Sequence, residues 1–324
     1  RAAYPGKFAR VAAHGLAHGG AGIGFACEAF SNVLGGMNKD TNWKSIKGKP
    51  GEQDLLSGRD FLERFAALAL AGRGDHGAGI LFSKSQFSRQ HAVMGFGAPH
   101  FQAFVALTRL GCTPRFVTEE EIAAGQAQDV KALVLIGQTV PLPEAVTAAI
   151  TAFAKGGGKV FVDGSCAAAV PNASKLGLTF PFSIPGKPHN WSAPNMALGE
   201  SDTLLYARWH PELARAFAAA LGDTGRALLA AQTGPLTETT LMQIDGGSDA
   251  KYVVAINDSH VHTQADWREV RETLTAGPGL SETAVIYDCT DERLLGKPPV
   301  QCDLATTTAR LFAVLPRELK QIAL

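Results

Sequence analysis

The chain has 324 residues, 46% of them hydrophobic, with 30 acidic residues against 30 basic ones. That length outgrows a single core and predicts two or three domains, while the hydrophobic fraction excludes a disordered chain. Zero net charge argues against nucleic acid or an anionic membrane surface as a partner, and no apolar run reaches the roughly 20 residues that span a bilayer.

Residues 7–18 place Phe8, Val11, Ala12 and Leu16 near a helical stripe, which Gly19 and Gly20 end. Residues 21–26 (A-G-I-G-F-A) read as a short buried strand, and residues 32–53, rich in Gly, Lys and Asn, as an exposed loop. Residues 54–71 repeat apolar side chains at Leu55, Phe61, Leu62, Phe65 and Leu68 and predict an amphipathic helix. Helix, strand, loop, helix is the order at the closing end of a (β/α) barrel. The chain opens on Arg1 with no signal peptide behind it, and so reads as processed or as part of something longer.

The next block predicts an open α/β domain with a parallel sheet. Strands are expected at 79–83 (G-I-L-F-S), 113–117 (T-P-R-F-V), 131–137 (K-A-L-V-L-I-G) and 159–163 (K-V-F-V-D). The third is an unbroken apolar run of the kind buried on both faces. Helices are expected at 98–110, with Phe101, Phe104, Val105 and Leu107 inward, and at 143–155, opening on proline and stopped by Gly156, Gly157 and Gly158. Alternation at this spacing implies right-handed crossovers.

Residues 181–196, with Trp191, read as an irregular surface excursion, and 210–221 as a helix. From Thr239 the period changes to two, with strands expected at 241–244, 251–256, 284–287 and 306–315, which predicts a small β-sandwich. The domains are thus 1–75, 76–236 and 237–324. Five dispersed cysteines (Cys27, Cys112, Cys166, Cys289, Cys302) lack C-x-x-C spacing and read as free thiols, favouring a reducing compartment and a soluble, cytoplasmic protein.

In an open α/β sheet, ligands bind beyond the carboxyl ends of the strands. Those ends carry Ser83 and Ser85, then Gly137 and Gln138, then Gly164, Ser165 and Cys166, which together are the expected ligand crevice. Strand followed by D-G-S-C-A-A has the look of a nucleophile turn, and a helix N-terminus behind Cys166 would depress its pKa. The plainer reading is a small thiol at a turn, since no histidine base follows at a strand end before His189. Glu28, after the strand at 21–26, stands where barrel enzymes keep catalytic groups, but glycoside hydrolysis needs a spaced pair of carboxylates. His260 and His262 share one face after a strand and are weak metal candidates without a third ligand, so no metal and no cofactor is assigned. Glu119, Glu120 and Glu121 open a helix, where carboxylates complement its dipole.

One family pattern emerges. The segment from His14 to Ile23 (H-G-L-A-H-G-G-A-G-I) resembles the A-H-G-A-D-G-V segment before the last barrel strand of glycoside hydrolase family 42 β-galactosidases. Residues 79–163 resemble that family's second domain, a flavodoxin- or glutamine-amidotransferase-like trimerisation fold, through a strand ending in Ser, the L-V-L-I-G strand, and a G-G turn before K-V-F-V-D. Residues 239–324, with Y-V-V-A-I-N and V-I-Y-D, are similar to its terminal β-sandwich. The resemblance implies an assembly and accessory region, trimeric, with a carbohydrate as the possible ligand and no catalytic power alone, because the family's two glutamates lie on earlier barrel strands. Ala26, Cys27, Glu28, Ala29 and Phe30 depart from the family's Q-W-R sugar-contact segment. A free-standing amidotransferase-like or hydrolase domain using Cys166, and a non-catalytic binding or scaffold protein, are the alternatives.

Overall fold

A computed structural model describes residues 12–13, 15–17, 50–71, 73–74, 76–90, 98–179, 211–232, 239–247, 249–258, 269–304 and 309–319. The strand expected at 21–26, Glu28, the excursion at 181–196 with His189, and the pair His260 and His262 lie outside these residues. Two compact units form: one from Arg1–Gly74 together with Glu238–Leu324, the other from Asp75–Thr237. Residues 1–75 and 237–324, expected as separate domains, thus fall largely in one unit.

In the first unit, helix α1 (Pro50–Ala71) begins within the expected loop, four residues ahead of the apolar stripe. It is followed by the two-residue strand β1 (Arg73–Gly74). The second unit then runs through β2 (Ala78–Phe82), α2 (Lys84–Gln90), α3 (Ala98–Arg109), β3 (Pro114–Thr118), α4 (Glu119–Ala123), β4 (Ala132–Leu135), α5 (Glu144–Lys155), β5 (Lys159–Val162), β6 (Ser174–Lys175), α6 (Pro211–Leu221) and β7 (Leu229–Ala231). The chain returns to the first unit with β8 (Thr239–Asp245), β9 (Lys251–Asn257), β10 (Arg271–Ala276), β11 (Val285–Asp288), β12 (Arg293–Gly296), β13 (Val300–Asp303) and β14 (Ala309–Leu315).

The second unit is a parallel sheet in the order β3-β2-β4-β5-β6. Relative to the first strand this is the doubly wound order of flavodoxin-like folds, with its switch point between β2 and β4. The pairings are parallel throughout, Ile80 standing opposite both Phe116 and Val134, and Val134 opposite Phe161. Strand alternation divides the core in two. Ile80, Ala132, Val134 and Phe161 face α3 and α6 through Ala103, Ala106, Leu107, Ala214, Phe217 and Leu221. Leu81, Leu133, Leu135 and Val160 face α4 and α5 through Ile122, Val146 and Ile150. Of the α3 residues expected inward, Leu107 is fully buried, but alanines make most of the contact face and Phe104 lies at its edge.

The first unit holds a six-stranded antiparallel sheet in the order β1-β8-β9-β14-β11-β12. One face of β8, β9 and β14 (Met242, Ile244, Val254, Ile256, Leu311) packs on Phe61 and Phe65 of α1 and on the helical residues Ala12, Ala13, Leu16 and Ala17. The opposite face, with Leu241, Val253, Ala255 and Phe312, is buried too. The period of two thus gives antiparallel strands as expected, but a helical layer covers a face that a sandwich would give to a second sheet. Strands β10 and β13 pair separately, tied to this sheet by Asn257, whose Nδ2 donates to the Leu304 carbonyl. No helix among the described residues is long and apolar enough to cross a membrane.

Candidate functional site

The carboxyl ends of β2, β3 and β4 meet at a cleft of about 490 Å³, lined by Lys84, Ser85, Glu119, Val140, Pro141, Leu142 and Pro143. Its position follows from the topology: loops after β2 and β4 diverge to opposite sides at the switch point and leave space between them. That volume lies within the ordinary range of small-molecule sites.

One wall is polar. Ser83 ends the first strand and caps α2, its Oγ accepting from the Gln86 N–H at 3.0 Å. The same hydroxyl donates to Glu119 Oε1 at 2.5 Å. Ser85 donates to Glu119 twice, from its backbone N–H to Oε1 at 3.1 Å and from its hydroxyl to Oε2 at 2.9 Å. Glu119 is only 7% exposed, so these donors replace the water it gives up. Among the described residues no basic side chain lies within ion-pair distance of it, whereas Lys84 at the mouth pairs with Glu120 at 3.3 Å. The following Thr118 and Glu121 form a reciprocal capping box at the start of α4.

The other wall is the segment after β4. Gln86 fastens it, its Nε2 donating to Thr139 Oγ1 at 3.0 Å and its Oε1 accepting from the Val140 N–H at 2.9 Å. Val140, Pro141, Leu142 and Pro143 then present a largely aliphatic surface. Pro143 occupies the N-cap of α5 without a side-chain cap bond.

The rest of the expected crevice gathers around a residue the sequence reading passed over. Asp163, 3% exposed, accepts from the Gly137 N–H at 3.0 Å on Oδ1, and on Oδ2 from the Ser165 N–H at 3.2 Å and hydroxyl at 2.6 Å. Gly137 takes φ of 60°, a left-handed turn that favours glycine. Gln138 is buried and accepts from the Ala167 N–H at 2.6 Å, and Gly164 donates to Leu178 at 2.6 Å. Gly137, Gln138, Gly164 and Ser165 thus hold the β4 and β5 loops together, while Ser85 lines the cleft and Ser83 is buried behind it against Glu119.

Cys166 does not have the surroundings a nucleophile turn would give it. No helix follows: residues 164–173 are turns and extended chain. Burial pushes the half-buried thiol up, Asp163 pushes it the same way, and the Ala168 N–H opposes both. The expected depression by a helix dipole is therefore reversed. Among the described residues no histidine bonds to Cys166, Ser83 or Ser85; His100 is turned to the Leu81 carbonyl, 3.1 Å away. No three His, Cys, Asp or Glu residues among those described come together as a metal site. Toward a ligand the cleft offers a hydroxyl, a carboxylate, an ammonium group and an aliphatic wall.

A separate feature lies at the sheet edge formed by β3. Phe82, Phe87 and Phe116 are 37%, 46% and 38% exposed, and their rings run together, Phe82 lying 6.2 Å from Phe87 and 6.3 Å from Phe116. Phe104 stacks beneath Phe116 at 5.7 Å.

The site and topology define a doubly wound α/β unit with a strand-end cleft, joined to an antiparallel β unit. No family model matches the sequence, and no curated protein matches it. Solved structures similar to the chain include three glycoside hydrolases. An apo exo-carrageenase GH42 from Bacteroides ovatus matches over 82% of this chain and 32% of its own, at 12% identity and a TM-score of 0.44. A β-galactosidase from Bacillus circulans sp. alkalophilus matches over 82% and 45%, at 9% identity and a TM-score of 0.49. A rhamnosidase from Novosphingobium sp. PP1Y matches over 84% and 26%, at 11% identity and a TM-score of 0.41. The chain spans less than half of each, and at these values no residue's role carries over.

Proposed function

We propose that this chain is the assembly and accessory region of a glycoside-hydrolase-like protein of β-galactosidase type, without glycosidase activity of its own. In this reading residues 1–75 supply the closing elements of a (β/α) barrel, and the amidotransferase-like α/β unit joins copies of the chain into a trimer. The exposed phenylalanine cluster at the β3 edge carries the reading. Three contiguous aromatic rings beside an open strand edge are costly to leave in water and are a common form of interface core. The order of modules from His14 to the terminal strands agrees with it.

Light scattering over a range of protein concentrations tests the proposal. A trimeric mass is expected, together with its loss in Phe116→Glu while the circular dichroism spectrum is retained. A monomer at every concentration would overturn it. Turnover of an aryl β-galactoside by the isolated chain, at a rate unchanged by any substitution at Cys166, would remove the non-catalytic part of the reading alone.

A further inference from the structure

We propose that the cleft at the ends of β2, β3 and β4 is a binding site for a free aliphatic α-amino acid. Three features of its lining, independent of the assembly reading, converge on that chemistry. Glu119 is a carboxylate buried in the wall with no basic partner among the described residues. Among the described residues its Oε1 accepts two hydrogen bonds, from Ser83 and from the Ser85 N–H, whereas Oε2 accepts a single one, from the Ser85 hydroxyl. An oxygen with acceptor capacity left, in a buried carboxylate lining open space, is matched by a cationic donor, because a charge-assisted bond there is about twice as strong as a neutral one.

The second feature is Lys84 at the mouth. Its side chain is 74% exposed and its ammonium holds Glu120 at 3.3 Å, a solvated pair worth little and readily exchanged for another anion. A ligand with an ammonium group directed at Glu119 and a carboxylate directed at Lys84 meets both charges at once. The third is the wall opposite, where Pro141, Leu142 and Pro143 offer an aliphatic surface that gives no hydrogen bonds from proline nitrogens. An apolar side chain set between the two charged ends would lie there. Gln86 keeps this wall in place through Thr139 and Val140, so the cleft is preformed rather than assembled by the ligand. A simple amine would leave Lys84 unanswered and a simple carboxylic acid would face Glu119 with like charge, so the zwitterion is preferred to either half.

The test uses three matched probes on the full chain: leucine, 3-methylbutylamine (leucine without its carboxylate) and 4-methylpentanoate (leucine without its amine). Binding is followed by the amide resonances of Ser85 and Val140. Leucine is expected to shift both saturably, the amine to shift the same two with about threefold weaker affinity, and the acid to leave them unmoved. Lys84→Ala, on the surface and harmless to folding, should weaken leucine about threefold while leaving the amine unchanged. Glu119→Gln should abolish both. The proposal is overturned if leucine gives no saturable shift, if the acid binds as well as leucine, or if Lys84→Ala leaves leucine binding intact.

Discussion

Each described cysteine has surroundings that fix its reactivity. Cys112 and Cys302 are sealed in the core, and burial pushes both thiols up to about 12. Cys166 and Cys289 are partly buried and are raised in the same direction, again chiefly by burial. Since the thiolate is the reacting species, iodoacetamide at neutral pH should modify Cys166 more slowly than free cysteine. Cys112 and Cys302 should react only after denaturation. Peptide mass mapping along the time course checks both, and a Cys166 faster than free cysteine would bring back the nucleophile reading. A different residue contributes to the acid limb of stability. Arg115 donates to Asp129 through Nε and Nη2, at 2.8 and 2.7 Å, and to Glu121 through Nη1 at 3.0 Å. Burial, the largest influence on either carboxyl, raises it. For Glu121 the Thr118 N–H and Arg115 outweigh that, for Asp129 chiefly Arg115 does, and both end below their usual range. Carboxyls lowered on folding stabilise the protein above their unfolded values and cease to do so as pH falls through the folded ones. Arg115→Met should therefore flatten the fall in thermal midpoint below about pH 4, while leaving the slope of the midpoint with pH near neutrality unchanged.

Among the elements, how much the sequence disclosed depended on what holds each one. In the parallel sheet β2 and β4 were legible because their runs are apolar on both faces, β3 and β5 because short β-rich runs lie between turn residues, and α5 because proline and glycine bracket it. Helix α2 was not, since K-S-Q-F-S-R-Q has no apolar stripe; it is held by the Ser83 cap and by Gln86 reaching across to Thr139 and Val140. Strand β6 is two exposed residues, Ser174 and Lys175, recognisable only by their pairing with Phe161 and Val162. The same reason hid the cleft's central group. Glu119 read as a helix-opening carboxylate, and its bonds to Ser83 and Ser85 join residues that are distant in sequence and adjacent only once β2 and β3 lie side by side. A further tertiary constraint sits at Gly77, where a Cβ would come within 1.9 Å of the Gly225 carbonyl oxygen. Backbone meets backbone there, so a methyl group has no flexible neighbour to displace. Gly77→Ala is expected to destabilise by several kcal/mol, at the upper end of single substitutions, as a lowered urea midpoint at unchanged slope.

On the scale of the whole molecule, the two units have separate cores, and the α/β unit contains every strand of its own parallel sheet. A segment with a complete core is expected to fold by itself. Residues 75–237 expressed alone should show a cooperative thermal transition and mixed helix and strand content by circular dichroism. A non-cooperative melt would mean that the rest of the chain is needed to hold the unit together. The Phe82, Phe87 and Phe116 cluster belongs to this segment, so the isolated unit is also the smallest piece in which the proposed self-association can be measured.

The pairing of β1 with β8 has a further consequence. Arg73 stands opposite Asp245 and Gly74 opposite Ile244, so the chain leaves the β unit alongside the strand by which it comes back. The whole α/β unit is therefore a cassette spliced into a single β connection, its entry and exit held by one ladder. Closing the gap after excision takes a linker that runs from beside Ile244 back to Thr239, roughly 17 Å at about 3.3 Å per residue, and then turns into β8. A gene encoding the β unit with a linker of that reach in place of residues 75–237 is a starting point for grafting other domains between the same two strands.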